Sequence, residues 1–280
     1  MNDMLLNANK SEVLLVARKA KADKFAGGTG VCVAGSDIAF SVQLKSLGVT
    51  LDQGLSFDQH VGNIVKASNF NIRALRHIRP MLDKSVANTV ACSIVSTRLD
   101  YCNSLLYGTS KGNIQRLQRV QNTLARVVSD TKKRDHIKPV LQDLHWLPVS
   151  QRIDYKVTLI AHKVLSTAQP QYLERLVKEY KPTRNLRSDG QRLLAKPNGL
   201  KSALASRSFT CASEKVWNSL PDIVRHINIT NDSRRRGDGR HGKSFRRKAY
   251  GVVWREFNIR LTVLVLFIYR EFNIRLRLNK

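Results

Sequence analysis

The sequence predicts an α+β protein: a small β-containing N-terminal part, a mainly α-helical middle and a basic, partly disordered tail. Three observations predict it. Short β-prone runs fill the first 58 residues, the apolar period turns helical at Asp58, and the last fifty residues hold fourteen basic against four acidic side chains. The expected divisions are 1–58, 59–130, 131–226 and 227–280. With 280 residues, 42% of them hydrophobic, the chain can bury a sizeable core.

In the N-terminal part, Glu12 to Ala17, Val31 to Ala34, Ile38 to Val42 and Leu47 to Leu51 are β-prone runs separated by Lys-rich or Gly-rich breaks. Gly27-Gly28-Thr29-Gly30 precedes a strand, and no Gly-Lys-Ser/Thr follows, so a hairpin loop fits it better than a phosphate loop. From Asp58, residues Val61, Ile64, Val65, Ser68, Ile72, Leu75 and Ile78 share one side of a helix that ends at Pro80. Lys66, Arg73 and Arg76 lie opposite. A second helix is expected from about Lys84 to Leu99.

A loop at Gly108 to Gly112 leads into a helix that sorts its residues by chemistry. Leu117, Val120, Leu124, Val127 and Val128 fall on one side, with Arg116, Arg119 and Arg126 in an arc beside them. A polar break over Ser129 to Lys138 precedes a compact Trp- and Pro-containing turn, Leu141 to Val149. In the next helix Ile153, Val157, Ile160 and Val164 form the apolar face, with Arg152, Lys156 and Lys163 beside it. Irregular structure follows from Gln169 to Leu204, around a short helix at Tyr172 to Glu179. A last helix spans Phe209 to Asn218. The tail carries a duplication, Arg255 to Leu261 and Arg270 to Leu276, too short a repeat for a solenoid.

Lys and Arg number 48 against 21 Asp and Glu, a net charge of +27. Such an excess favours a polyanionic partner, nucleic acid or an acidic surface. Cys32, Cys92, Cys102 and Cys211 form no short pair, which speaks against a zinc ribbon or a disulfide framework and for a reducing compartment. The N-terminus lacks the pattern of a secretory signal, and the most apolar stretch, Leu261 to Tyr269, has about half the length a membrane span requires. The expected location is intracellular, nuclear or cytoplasmic. Lys66, Arg73, Arg76, Arg116, Arg119, Arg126, Arg152, Lys156 and Lys163 are the candidate contacts to a nucleic-acid backbone, grouped beside the core faces of successive helices. Tyr101 and Cys102 read as packing residues. His145 and Trp146 read as core, and with His136 and His162 they make no convincing metal set.

Six stretches carry a resemblance: LLNANKSEVLLVAR, KSLGVTLDQGLSFDQHV, STRLDYCNSLLYG, IQRLQRVQNTLARVV, LHWLPVSQRIDYKV and VWNSLPDIVR. In this order, over residues 4 to about 226, they resemble the downstream part of the reverse transcriptase of a non-LTR retrotransposon, of the jockey-like or a related type. The resemblance implies a palm remnant over 1–58, followed by a helical thumb-like region and its C-terminal extension, gripping RNA or an RNA–DNA duplex. It places Lys10 near an incoming triphosphate and Leu47-Gly48-Val49 in the strand that holds the primer end. Polymerases of this kind use Mg2+ held by aspartates, two of them adjacent. No two Asp residues are adjacent in this sequence. No cofactor and no polymerase activity are therefore expected of the chain as it stands. The alternative is a noncatalytic helical protein binding acidic proteins or membrane surfaces, the latter through its tail, or a decayed element product with no selected role.

Overall fold

The structure, a computed structural model, describes residues 7, 10–17, 30–33, 35–182, 184, 192–199 and 202–225. The expectations for the tail and for Gly27 to Thr29 lie outside them. Among the described residues six short strands come first: β1 (Val13–Leu14), β2 (Val31–Val33), β3 (Ser36–Ile38), β4 (Phe40–Ser41), β5 (Gln43–Ser46) and β6 (Val49–Asp52). They pair as a parallel β1–β4 ribbon and two antiparallel hairpins, β2–β3 and β5–β6. Leu47-Gly48 is the turn of the second hairpin and not part of a strand. Both residues have positive φ, 46° and 84°, the conformation that a two-residue turn needs to match strand twist. Val49 pairs with Ser46.

Among the described residues nine α-helices follow: α1 (Asp58–Ile78), α2 (Lys84–Ala91), α3 (Thr97–Asp100), α4 (Lys111–Ser129), α5 (Ile137–Asp143), α6 (Val149–Thr167), α7 (Gln171–Glu174), α8 (Phe209–Asn218) and α9 (Asp222–Arg225). The helix expected from Lys84 to Leu99 is α2 and α3, joined by a π-helical turn at Cys92–Ser96. The short helix expected at Tyr172 to Glu179 is only α7, one turn long.

The junction between strands and helices is held by Asp52. Its Oδ1 accepts from the backbone N–H groups of Gly54 (3.1 Å) and Ser56 (2.8 Å), and its Oδ2 from that of Phe57 (2.8 Å). Leu55 and Phe57 take left-handed backbone conformations there, which cost about 1–2 kcal/mol each for side chains of this kind. Both side chains are buried, which offsets that cost by a similar amount, roughly 1.5–3 kcal/mol apiece.

The main apolar cluster takes Val16 from the segment after β1, Val49 and Leu51 from β6, Val61, Ile72 and Leu75 from α1, and Leu117, Val120, Leu124 and Val128 from α4. It continues through Trp146 to Ile153. This core crosses the boundaries expected at 58/59 and 130/131. A second cluster joins Ala161 and Val164 of α6 to Leu173, Val177, Leu194 and Trp217. There Trp217 Nε1 donates to the carbonyl of Arg192 (2.7 Å), and Asn218 brackets Leu194 through both its backbone N–H (2.9 Å) and its carbonyl (3.0 Å).

Candidate nucleic-acid interface

Two hydrogen-bonded ends fix how α1 and α4 lie. At their N-termini Asn113 Nδ2 donates to Asp58 Oδ1 (2.7 Å) and to the carbonyl of Ser56 (3.2 Å). At their C-termini Arg79 donates from Nη2 to the carbonyl of Val128 (2.9 Å) and from Nε to that of Val127 (3.1 Å), where the dipole of α4 favours a cation. The two helices are therefore parallel neighbours, packed through Val61 and Ile72 on one side and Leu117, Val120 and Leu124 on the other.

One flank of this pair carries exposed cations from both helices. A Cβ on Gly62 would sit 3.3 Å from Arg116 Nη2, which places Arg116 of α4 against the Gly62 side of α1. At ~100° per residue, Arg76, Asn69, Gly62, Arg73 and Lys66 succeed one another on α1 moving outward from the α4 contact. On α4, turning the opposite way from the α1 contact, come Arg116, Thr123 and Arg119. Because the helices are parallel, these opposite turns lead to the same side. Asp58 is the sole acidic residue of the two helices: none occurs from Gln59 to Leu82 or from Tyr101 to Ser129.

The nine predicted contacts divide into three groups. Lys66, Arg73, Arg76, Arg119 and Lys163 are exposed, and among the described residues none has a carboxylate within 4 Å. Lys163 lies in the half of α6 that serves the second cluster, away from the α1–α4 packing. Arg116 and Arg126 are half-buried. Arg116 Nη1 donates to the carbonyl of Asp58 and to Asn113 Oδ1, both at 3.3 Å, and Arg126 Nη2 donates to the carbonyl of Asp135 (3.3 Å).

Arg152 and Lys156 correct the expectation. They are only 3% and 4% exposed and point into the protein, where no phosphate backbone reaches them. Arg152 Nη1 meets both carboxylate oxygens of Asp100 at 2.6 and 2.7 Å, and its Nε donates to the carbonyl of Leu147 (3.1 Å). Burial pushes the Lys156 ammonium down to about 8, against the opposing pull of Asp100 and Cys102. Burial likewise pushes the Cys102 thiol up to about 11, which leaves it protonated and inert near neutrality. Gln121 Nε2 donates to the carbonyl of Leu147 (2.8 Å), and Gln118 Oε1 accepts from the backbone N–H of Val149 (2.8 Å). Polar residues from three separate stretches thus form one internal lock. Tyr101 joins the hairpin to it, donating its hydroxyl to the carbonyl of Leu47 (2.6 Å).

Lys10 is exposed beside β1. No group of three His, Cys, Asp or Glu side chains among the described residues is placed to hold a metal ion, and none of the described helices is long and apolar enough to cross a membrane. Residues that the sequence reading passed over are Arg79, which fastens the two helices, and Phe70, exposed on the outer face of α1. The acid-free run from Gln59 to Leu82 was the signal for that face. No family model, no curated protein and no solved structure matches the chain.

Proposed function

We propose that this chain is the C-terminal part of a non-LTR retrotransposon reverse transcriptase, retaining sequence-independent affinity for RNA or RNA–DNA duplex. The observation that carries the binding is the α1–α4 flank: Lys66, Arg73, Arg76 and Arg119 stand on parallel helices that hold a single acidic residue between them. The ancestry rests on the six quoted stretches, and the way several of them interlock through Asp100, Arg152 and Gln118 supports their belonging to one inherited unit. Without adjacent aspartates the reading assigns no polymerisation to these residues. In a polymerase this flank would contact the phosphates of the primer–template; here it is left with binding alone. The membrane alternative depended on Leu261 to Tyr269, which lies outside the described residues.

The test is fluorescence anisotropy with a labelled RNA–DNA hybrid across a salt series. Binding through phosphates weakens log-linearly with salt, with a slope of about −0.9 per phosphate neutralised on B-form duplex and about −0.7 on single strands. Replacing Lys66, Arg73 and Arg76 together by Ala should flatten that slope by about 2–3 and leave the fold intact, because surface changes of this kind cost only about 0.5 kcal/mol or less each. A wild-type chain that fails to bind at low salt defeats the reading.

A further inference from the structure

The outer face of α1 holds an aromatic ring among its cations. Phe70 is 68% exposed, on the side opposite Val61, Ile72 and Leu75, so the core of the protein makes no use of it. Lys66 precedes it by four residues and Arg73 follows by three, spacings that set both side chains next to the ring on the helix surface. The two cations are about 10 Å apart along the axis. Neither has a carboxylate partner among the described residues, and no acid follows on this helix after Asp58.

We propose that Phe70 is a stacking platform for an unpaired base, with Lys66 and Arg73 holding the phosphates on either side of that nucleotide. An exposed apolar ring alone would fit any apolar partner. A ring bracketed by unpaired cations, on an acid-free face of a strongly basic chain, matches a single strand, whose phosphates and base faces alternate along its length. A duplex keeps its bases stacked inside and offers this ring nothing. The inference rests on the nucleic-acid reading above and deepens it: the face selects single-stranded over double-stranded segments.

The experiment measures anisotropy of the full chain with a short fluorescein-labelled oligothymidylate and with the same oligonucleotide carrying abasic residues. Phe70→Ala should weaken binding to the intact strand by roughly 5- to 100-fold, as loss of one base–aromatic stack does. It should leave binding to the abasic strand unchanged, and Phe70→Trp should keep or strengthen binding to the intact strand. Lys66→Ala with Arg73→Ala should weaken both equally. Equal affinity of wild type and Phe70→Ala for the intact strand, or equal losses on both strands, overturns the stacking role while leaving phosphate binding in place. A wild type that binds the RNA–DNA hybrid but neither strand overturns this inference alone; one that binds neither the hybrid nor the strands overturns the nucleic-acid reading as well.

Discussion

Arg152 and Lys156 of α6 and the cations of α1 share residue types and a place on amphipathic helices but have opposite fates. Arg152 and Lys156 turn inward beside Asp100, while Lys66, Arg73 and Arg76 are exposed with no carboxylate within 4 Å among the described residues. The difference lies in the partner and not in the helix. Asp100 arrives from 52 residues away and offers both oxygens to one guanidinium nitrogen, so the charge of Arg152 is compensated before it is buried. Along α1 no carboxylate follows Asp58, and a cation without one stays where water solvates it.

The sharpest way to break this contrast is to strand the inner cation. Asp100→Ala leaves the Arg152 guanidinium buried without its carboxylate, and unfolding in urea should show a loss of about 3 kcal/mol. Replacing Asp100 by Leu and Arg152 by Met together should recover most of it, because the pair's desolvation cost disappears with the pair. A single variant as stable as the wild type would mean that the ion pair holds nothing together.

How much of this was legible in the sequence follows from the same contrast. Helical periodicity located α1, α4, α6 and α8, because apolar spacing along one helix is a local property, but it missed α5, which lies across the expected polar break and turn. It also placed Arg152 and Lys156 beside the core face, which is as far as one helix can tell. Whether such a cation turns in or out depends on Asp100, and pairings across 52 residues leave no periodic trace. The Leu47-Gly48 turn was hidden similarly: Leu47 extends a β-prone run, yet its backbone is left-handed because the hairpin has to close there. On α1 the absence of acids was readable from the start, while the exposure of Phe70 was not.

A second test uses pH on the inner site. Below pH 8 Lys156 is protonated in both the folded and the unfolded chain, and its burial costs stability throughout. Between about 8 and 10.5 the unfolded chain holds a proton that the folded chain has released, so this residue makes stability rise with pH. The limiting slope is about 1.4 kcal/mol per pH unit, so across the whole window the gain is up to about 3 kcal/mol. Tyr101, Tyr107 and Cys102, whose ionisation burial raises, pull the other way, so the comparison is with Lys156→Met. Urea midpoints measured across this range should diverge, with the Met variant losing its advantage as pH climbs. Parallel curves would place the Lys156 ammonium in contact with water.

The smallest effect belongs to the residue that stands between the two fates. Arg116 is half-buried, bound at 3.3 Å to the Asp58 carbonyl and to Asn113 Oδ1, and it also borders the exposed flank. If partners decide the fate of a cation, Arg116 is chiefly a tie between α1 and α4. Arg116→Ala should then cost about 0.5–1 kcal/mol in urea, the worth of partly exposed hydrogen bonds. Its effect on binding to an RNA–DNA hybrid should stay within about twofold, smaller than that of Arg119→Ala one turn on, whose full charge faces solvent and whose loss removes about one phosphate contact from the salt slope. The reverse ranking, with Arg116 dominating binding and leaving stability untouched, would show that its hydrogen bonds give way to phosphate when the ligand arrives. The flank would then be an adjustable clamp, with Asn113 and the Asp58 carbonyl holding Arg116 only until a strand replaces them.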